Sequence, residues 1–498
     1  MRLHLSNHRR RLAVGLVTLL AGCAVGPHCT EPHLTSATIY HGQAALTVID
    51  GQRQAPPLDT WWNGFHDPTL VAIVQRVLRQ NLDLAAAEAR VAQARAVARE
   101  AGAQDLPRLD LDGSAARQHQ SLDSPLGKIA SALPGYERDQ TLTNLDVGAS
   151  WELDLAGGLR RTAQARRAEA QAASAMHDGV RVSVSAEAAD AYFQARGLQS
   201  RIALVQAEVA TDARLLALAR QRVDDGVATR RVLAHALARL ARTRASLPPL
   251  QSALQRQFNR LDVLMGEPPG TIAPKLMKAP AHYAIPAIDT GDGPRQLLRR
   301  RPDVIAAERR LAASNARIGA ALSEYYPKVS LAGLLGFESL GGGTLLTAAA
   351  FQPSALVGLH WRLFDFGRID AEVAQARGAN AEALARYRQA MLRATEDVED
   401  AIATCVQLQA QTTALRQQVA AQTQAKAAAQ EQYRAGNVSL IAVLNETRRV
   451  LVARDALARA HADQARAAVA AFRSLGGGWT PRREESKAVR SAGIGAGA

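Results

Sequence analysis

The chain is 498 residues long, 47% hydrophobic but only 4% aromatic, and carries a formal net charge of +14. That length allows two or three domains, while so few aromatics argue against several thick globular cores. A basic balance can serve nucleic acid or an anionic membrane, but the arginines are spread along helical patterns without clustered aromatics, so no nucleic-acid partner is expected.

In chain order, Arg2, Arg9, Arg10 and Arg11 precede the short apolar run "LAVGLVTLL" and then "AGC". This has the form of a signal peptide over residues 1–22, too short to span a membrane. Its end, Leu20-Ala21-Gly22-Cys23, resembles the bacterial lipobox. That resemblance implies cleavage before Cys23 and acylation of its thiol. Ala24, standing where an aspartate would favour inner-membrane retention, favours sorting to the outer membrane. Residues 23–60 then read as a lipid-anchored N-terminal segment. Cys29 and Cys405 have no evident pairing, so no disulfide is expected. No stretch approaches the apolar length of a transmembrane helix.

Next comes an internal repeat. "NLDLAAAEARVAQARAVAREAGAQDLPRLDLDG" from Asn81 matches "RPDVIAAERRLAASNARIGAALSEYYPKVSLAG" from Arg301, pairing Asp83 with Asp303, Glu88 with Glu308 and Pro107 with Pro327 at an offset of 220 residues. "WELDLAGGLRR" from Trp151 matches "WRLFDFGRIDA" from Trp361 at an offset of 210, and Gly226 matches Gly436. The first copy therefore carries extra residues in a polar loop around Gln118 to Gln140. The copies are expected at 61–266 and 295–478, joined by a proline-rich linker at 267–294, with a flexible tail at 479–498.

Each copy has one grammar. A helix, about Pro68–Gln104 or about Arg295–Glu324, stops at a proline. Two alternating segments follow, about 108–118 and 141–155 in the first copy and 328–338 and 353–364 in the second. Then comes a long helical run, a glycine turn and a returning helix. Gly226 follows Gly157 by 69 positions and Gly436 follows Gly367 by 69, or roughly 100 Å of helix. Matched lengths suit helices lying side by side. In the second run, Leu384, Tyr387, Met391, Ala394, Val398, Ala401, Cys405, Leu408, Thr412, Leu415 and Val419 form one heptad seam. The flanking acids Glu396, Asp397, Glu399 and Asp400 read as a solvated helix face.

In "TNLDVGASWELDL", Leu145, Val147, Ala149, Trp151, Leu153 and Leu155 oppose Asn144, Asp146, Gly148, Ser150, Glu152 and Asp154. Such strands are long enough for a tilted bilayer crossing, with lipid on one face and a wet lumen on the other. Trp151 and Trp361 become candidate membrane-interface aromatics. Four strands cannot close a barrel, and an open edge is not viable in lipid. Three chains would pool twelve.

Together "WWNGFHDPTL", "NLDLAAAEARV", "WELDLAGGLRR", "LLRRRPDVIAAERRLAASNARIGAALSEYYPKVSL" and "YRAGNVSLIAVL" resemble the outer membrane factor family, the TolC-like outer membrane efflux proteins, and the lipobox points to their lipoprotein (NodT-type) branch. The resemblance covers roughly Trp61 to Leu475. It implies a mainly α fold: a long antiparallel α-helical coiled-coil barrel, plus four transmembrane strands per chain closing as a 12-stranded β-barrel in a homotrimer. It implies a lipid-anchored outer-membrane channel reaching into the periplasm, with a periplasmic adaptor and a proton-driven inner-membrane pump as partners. No catalysis, cofactor or metal is implied. Its tunnel conducts drugs or other small molecules.

In that reading Gly226, Val227, Gly436, Asn437 and Val438 sit at the helical tips that line the periplasmic aperture. Family members usually carry an aspartate six residues after this glycine. Here Val232 and Ala442 stand there, so the usual acidic latch does not carry over. Asp224, Asp225, Arg230, Arg231 and Glu446 are the candidate gating charges. An enzyme is disfavoured by the lack of HExxH, paired CxxC or a framed GxSxG. A type I protein-secretion conduit and a non-conducting lipid-anchored coiled-coil scaffold are the alternatives.

Overall fold

The computed structural model describes residues 25–27, 39–51, 54–278, 283–291, 293–294 and 300–480. The expected signal peptide at 1–22, Cys23, Cys29 and the tail beyond Thr480 lie outside the described residues. In chain order the elements are α1 (Gln43–Asp50), a 3₁₀ segment (Leu58–Phe65), α2 (Pro68–Gln80), α3 (Leu82–Ala103), β1 (Arg108–His119), α4 (Pro125–Ala130) and β2 (Asp139–Leu153). They continue with α5 (Gly158–Asp224), α6 (Arg230–Ala245), α7 (Leu247–Leu264), α8 (Ala273–Lys278), α9 (Pro302–Ser323), β3 (Lys328–Ser339), β4 (Phe351–His360), α10 (Arg368–Arg434) and α11 (Leu440–Ser474). Among the described residues no helix is long and apolar enough to cross a membrane.

Contacts divide the chain into two units, and the boundaries fall inside α3, α5, α9 and α10. The first comprises residues 1–32, 91–172 and 307–387. It is built on an antiparallel sheet in the order β1-β2-β3-β4. Leu111 faces Val147, Val147 faces Leu335, and Leu331 faces Val357. Both outer edges, β1 and β4, are unpaired within the chain. Leu109 and Leu111 on β1, and Val357 and Leu359 on β4, are about 70% exposed.

The helix-to-strand junctions repeat in detail. The Trp151 indole N–H donates to the Asp105 carbonyl at 3.1 Å, and the Trp361 N–H donates to the Tyr325 carbonyl at 2.9 Å. Each acceptor lies two residues before the junction proline, Pro107 or Pro327. Pro107 and Pro327 lack an N–H and stop the helix; the indoles tie down the turns that result. β4 ends at His360, so Trp361 and Leu363 fall just past it. The loop between β1 and β2, read from sequence as simply polar, contains α4, capped by the Ser124 hydroxyl accepting from the Gly127 N–H. It exposes Leu126, Ile129 and Leu133.

The second unit comprises residues 33–90, 173–306 and 388–498. Its core gathers "WWNGF". Trp61 stacks on Phe472 with centroids 5.4 Å apart, and Phe65 lies 4.6 Å from Phe193. Both Trp61 and Phe65 are fully buried, and large apolar side chains of that kind contribute roughly 1.5–3 kcal/mol each. Beside them the Asp67 carboxylate caps α2 by accepting from the Thr69 and Leu70 N–H groups and also accepts from the Tyr192 hydroxyl at 2.5 Å. Burial, then that carboxylate, pushes the Tyr192 phenol well up.

Two expected single helices are broken. The helix expected over Pro68–Gln104 stops at Asn81, which is extended and buried. Its amide donates to the Leu264 carbonyl at 2.9 Å and its oxygen accepts from the Leu84 N–H at 3.0 Å, so it caps α3. The first returning helix breaks at Ser246, where Pro248 and Pro249 open α7. The long runs are intact: α5 and α10 each hold 67 residues.

Candidate functional site: helical tips and helix-to-strand turns

The two tips are built alike. Gly226 has φ +72° and Gly436 φ +78°, a left-handed conformation that costs an L side chain roughly 1–2 kcal/mol. At the first tip the Gly226 N–H donates to the Val223 carbonyl at 3.0 Å and the Val227 N–H to the Arg222 carbonyl at 2.9 Å. At the second, Gly436 donates to Tyr433 at 3.0 Å and Asn437 to Gln432 at 2.8 Å. This is a Schellman cap in duplicate, and it satisfies carbonyls that a helix end leaves open. Thr229 and Ser439, both extended, then precede α6 and α11.

Asp224, Asp225, Arg230 and Arg231 are exposed, and none forms an ion pair among the described residues. Glu446 is paired with Arg449 on its own helix at 2.8 Å, so within one chain it does not meet Arg230 or Arg231. Val227 is exposed and Val438 half-buried. Val232 is exposed and Ala442 half-buried, with N–H groups donating to the Thr229 and Ser439 carbonyls, both at 2.9 Å. Apolar side chains, Val232 and Ala442, thus occupy the first turn of each returning helix where the sequence resemblance leads one to expect an acid.

Behind the tips, α5 and α11 are tied by charges in antiparallel register. Arg466 meets Asp190 at 2.7 Å, Arg201 meets Asp455 at 2.9 Å and Arg448 meets Glu208 at 3.7 Å. Burial, then the neighbouring Asp212, raises the Glu208 carboxyl above its ordinary value.

Trp151 and Trp361, the expected interface aromatics, are 37% and 50% exposed. The turn after Trp361 shows more than sequence reading anticipated. Phe364 and Phe366 are 93% and 103% exposed, and Phe366 is one of two non-glycine residues with positive φ among those described. The Asp365 carboxylate fixes this turn by accepting from the Gly367 and Ile369 N–H groups. Their signal was present in "LFDFG", but strand alternation masks side chains that lie past the strand's end.

The acidic cluster read as a solvated face is exposed at Glu396, Asp397 and Asp400, and two of its acids also hold other segments. Glu399 accepts from the His41 N–H at 2.7 Å and the Gly42 N–H at 3.3 Å, docking the start of α1 on α10. Asp397 accepts from Arg301 at 2.8 Å. Arg301, in "RRRPDV", also forks onto Asp303 at 2.9 and 2.7 Å and donates to the Ser474 carbonyl at 3.1 Å. One buried guanidinium therefore joins the start of α9, the middle of α10 and the end of α11. Burial opposes ionisation of Asp303, but the Arg301 fork outweighs it and holds that carboxyl below its ordinary value. Periodicity places these acids beside the seam and says nothing of segments arriving from elsewhere in the chain.

An antiparallel sheet with apolar, exposed edge strands, joined to paired helices of this length, defines a class of outer-membrane channel proteins. A family model described as outer membrane efflux protein matches residues 73–267 and 293–477. The chain is 32% identical over 429 residues to the pyoverdine export outer membrane protein OpmQ of Pseudomonas putida, covering 86% of this chain and 89% of the relative. It is 27% identical to nodulation protein T of Rhizobium leguminosarum bv. trifolii, covering 93% and 96%. The solved structure of the outer-membrane channel OprN superposes with a TM-score of 0.80 at 34% identity, over 92% of this chain and 100% of that one. The chain belongs to the outer membrane efflux protein family and is an outer-membrane component of efflux.

Proposed function

We propose that the protein is the outer-membrane channel of a tripartite efflux system. It receives small molecules from an inner-membrane pump through a periplasmic adaptor and conducts them passively, without catalysis. The observation that carries this is the four-stranded sheet with exposed apolar residues and two open edges. In lipid such edges must be closed, and three copies supply twelve strands. Acylation of Cys23 adds a lipid anchor, and the pump is proton-driven. The kinship with OpmQ, named for pyoverdine export, supports organic cargo beyond drugs.

The resting aperture is lined by the tips at Gly226, Val227, Gly436, Asn437 and Val438. With Val232 and Ala442 in place of acids, closure rests on Asp224, Asp225, Arg230, Arg231 and Glu446, with Arg230 or Arg231 reaching Glu446 of an adjacent copy. Replacing Arg230 and Arg231 together by serine is expected to raise single-channel conductance in planar bilayers and vancomycin entry into cells. Conductance and entry equal to those of the parent would rule this closure out.

A further inference from the structure

The leader residues Val25 and Gly26 do not hang free. The Val25 N–H donates to the Ala156 carbonyl at 3.1 Å. Arg161, itself only 6% exposed, donates through Nε to the Val25 carbonyl at 3.2 Å and through Nη2 to the Gly26 carbonyl at 3.3 Å. Its remaining arm donates to Gln164 at 3.0 Å, which fixes the guanidinium plane.

Two glycines make room. Gly26 has φ +109°, and a Cβ placed on it would lie 2.6 Å from the Gly319 Cα. A Cβ on Gly319 would lie 2.8 Å from the Val25 carbonyl oxygen and 2.9 Å from Arg161 Nε. A buried arginine aimed at two backbone carbonyls, over a helix bared by glycine, is a built receptor for extended chain. Burying that guanidinium unpaired would be costly, so Arg161 is matched to the leader it holds.

The internal repeat sharpens this. At the quasi-equivalent positions, Gly319 corresponds to Arg99, Ala156 to Phe366 and Arg161 to Ala371. Neither the glycine nor the fork is repeated. The departure from the repeat occurs where the leader lies.

We infer that Ala156, Arg161 and Gly319 form a seat for the leader, which fixes the chain's N-terminal segment between the start of α5 and the end of α9, at the base of the sheet. Cys23 is two residues upstream of the seat. Resting on the acylation reading, the lipid enters the membrane at a set point on the barrel's rim instead of on a loose tether. Arg161 is a positioning residue.

Hydrogen exchange read by mass spectrometry on the full-length, detergent-extracted protein tests this. The Val25 amide should exchange about tenfold or more slowly than in an unstructured peptide. Gly319→Ala, which favours the helix but fills the seat, should abolish that protection while α5 and α9 amides stay protected. Arg161→Lys should do the same, since an ammonium cannot fork onto two carbonyls. Cys23→Ser should leave the protection intact. An unprotected Val25 amide in the parent, or one still protected in Gly319→Ala, would overturn the seat. The intact mass of the parent separately reports acylation, so failure of the anchor is distinguishable from failure of the seat.

Discussion

Arg301 shows how one side chain can organise a region that composition describes poorly. Its partners come from α9, α10 and the end of α11, and two of them are carboxylates. Hydrogen bonds to charged groups contribute roughly 1.5–3 kcal/mol when buried, and the partial exposure of Asp303 and Asp397 lowers that figure. Arg301→Met is therefore expected to cost about 2 kcal/mol at neutral pH by denaturant titration. The sign of the pH dependence follows from Asp303, whose folded value lies below 3.8. Its contribution is complete above the unfolded value and is lost as pH falls through the folded one. Parent and variant stabilities should converge below about pH 4; a gap that stayed constant into acid would refute the fork's ionic character. The sequence supports Asp303 as a helix-start acid because the helix follows directly. Asp397 and Glu399 could not be read, since their partners are far along the chain.

At the scale of elements, most of the architecture was legible because it depends on local chemistry. Proline ends, strand alternation and the two glycines mark the boundaries, and each long helix closes within two residues of the glycine that follows it. The break at Asn81 was not legible: its extended backbone is compensated by the Leu264 carbonyl, a tertiary contact. The charge ladder between α5 and α11 was equally hidden, although its logic is plain once the helices are paired. A slip of one heptad in one direction sets Arg201 against Arg448, and in the other Glu208 against Asp455. Such half-exposed pairs contribute little energy, so they specify register more than stability. The tips make a sharper prediction. Gly226→Ala and Gly436→Ala should each destabilise their hairpin by about 1–2 kcal/mol, seen as faster exchange of the Val227 or Asn437 amide. Unchanged exchange would mean that the left-handed turn is not required.

At the scale of the whole molecule, the repeat predicts how copies meet. β1 corresponds to β3 and β4 to β2, so the observed β2–β3 register gives the register between β4 of one copy and β1 of the next. Val147 faces Leu335; carried through the repeat, Val357 of one copy faces Ala115 of another. Within one chain these residues sit on opposite edges of a four-stranded sheet and out of register, at least about 14 Å apart at the usual strand spacing, and cannot form a disulfide. The trimeric channel is tested most directly by oxidising the Val357→Cys/Ala115→Cys protein in membranes and resolving it without reductant. The account predicts covalently linked trimers, lost when Ala116 replaces Ala115 as the cysteine site because its side chain points to the other face. Monomers alone from the in-register pair would contradict it.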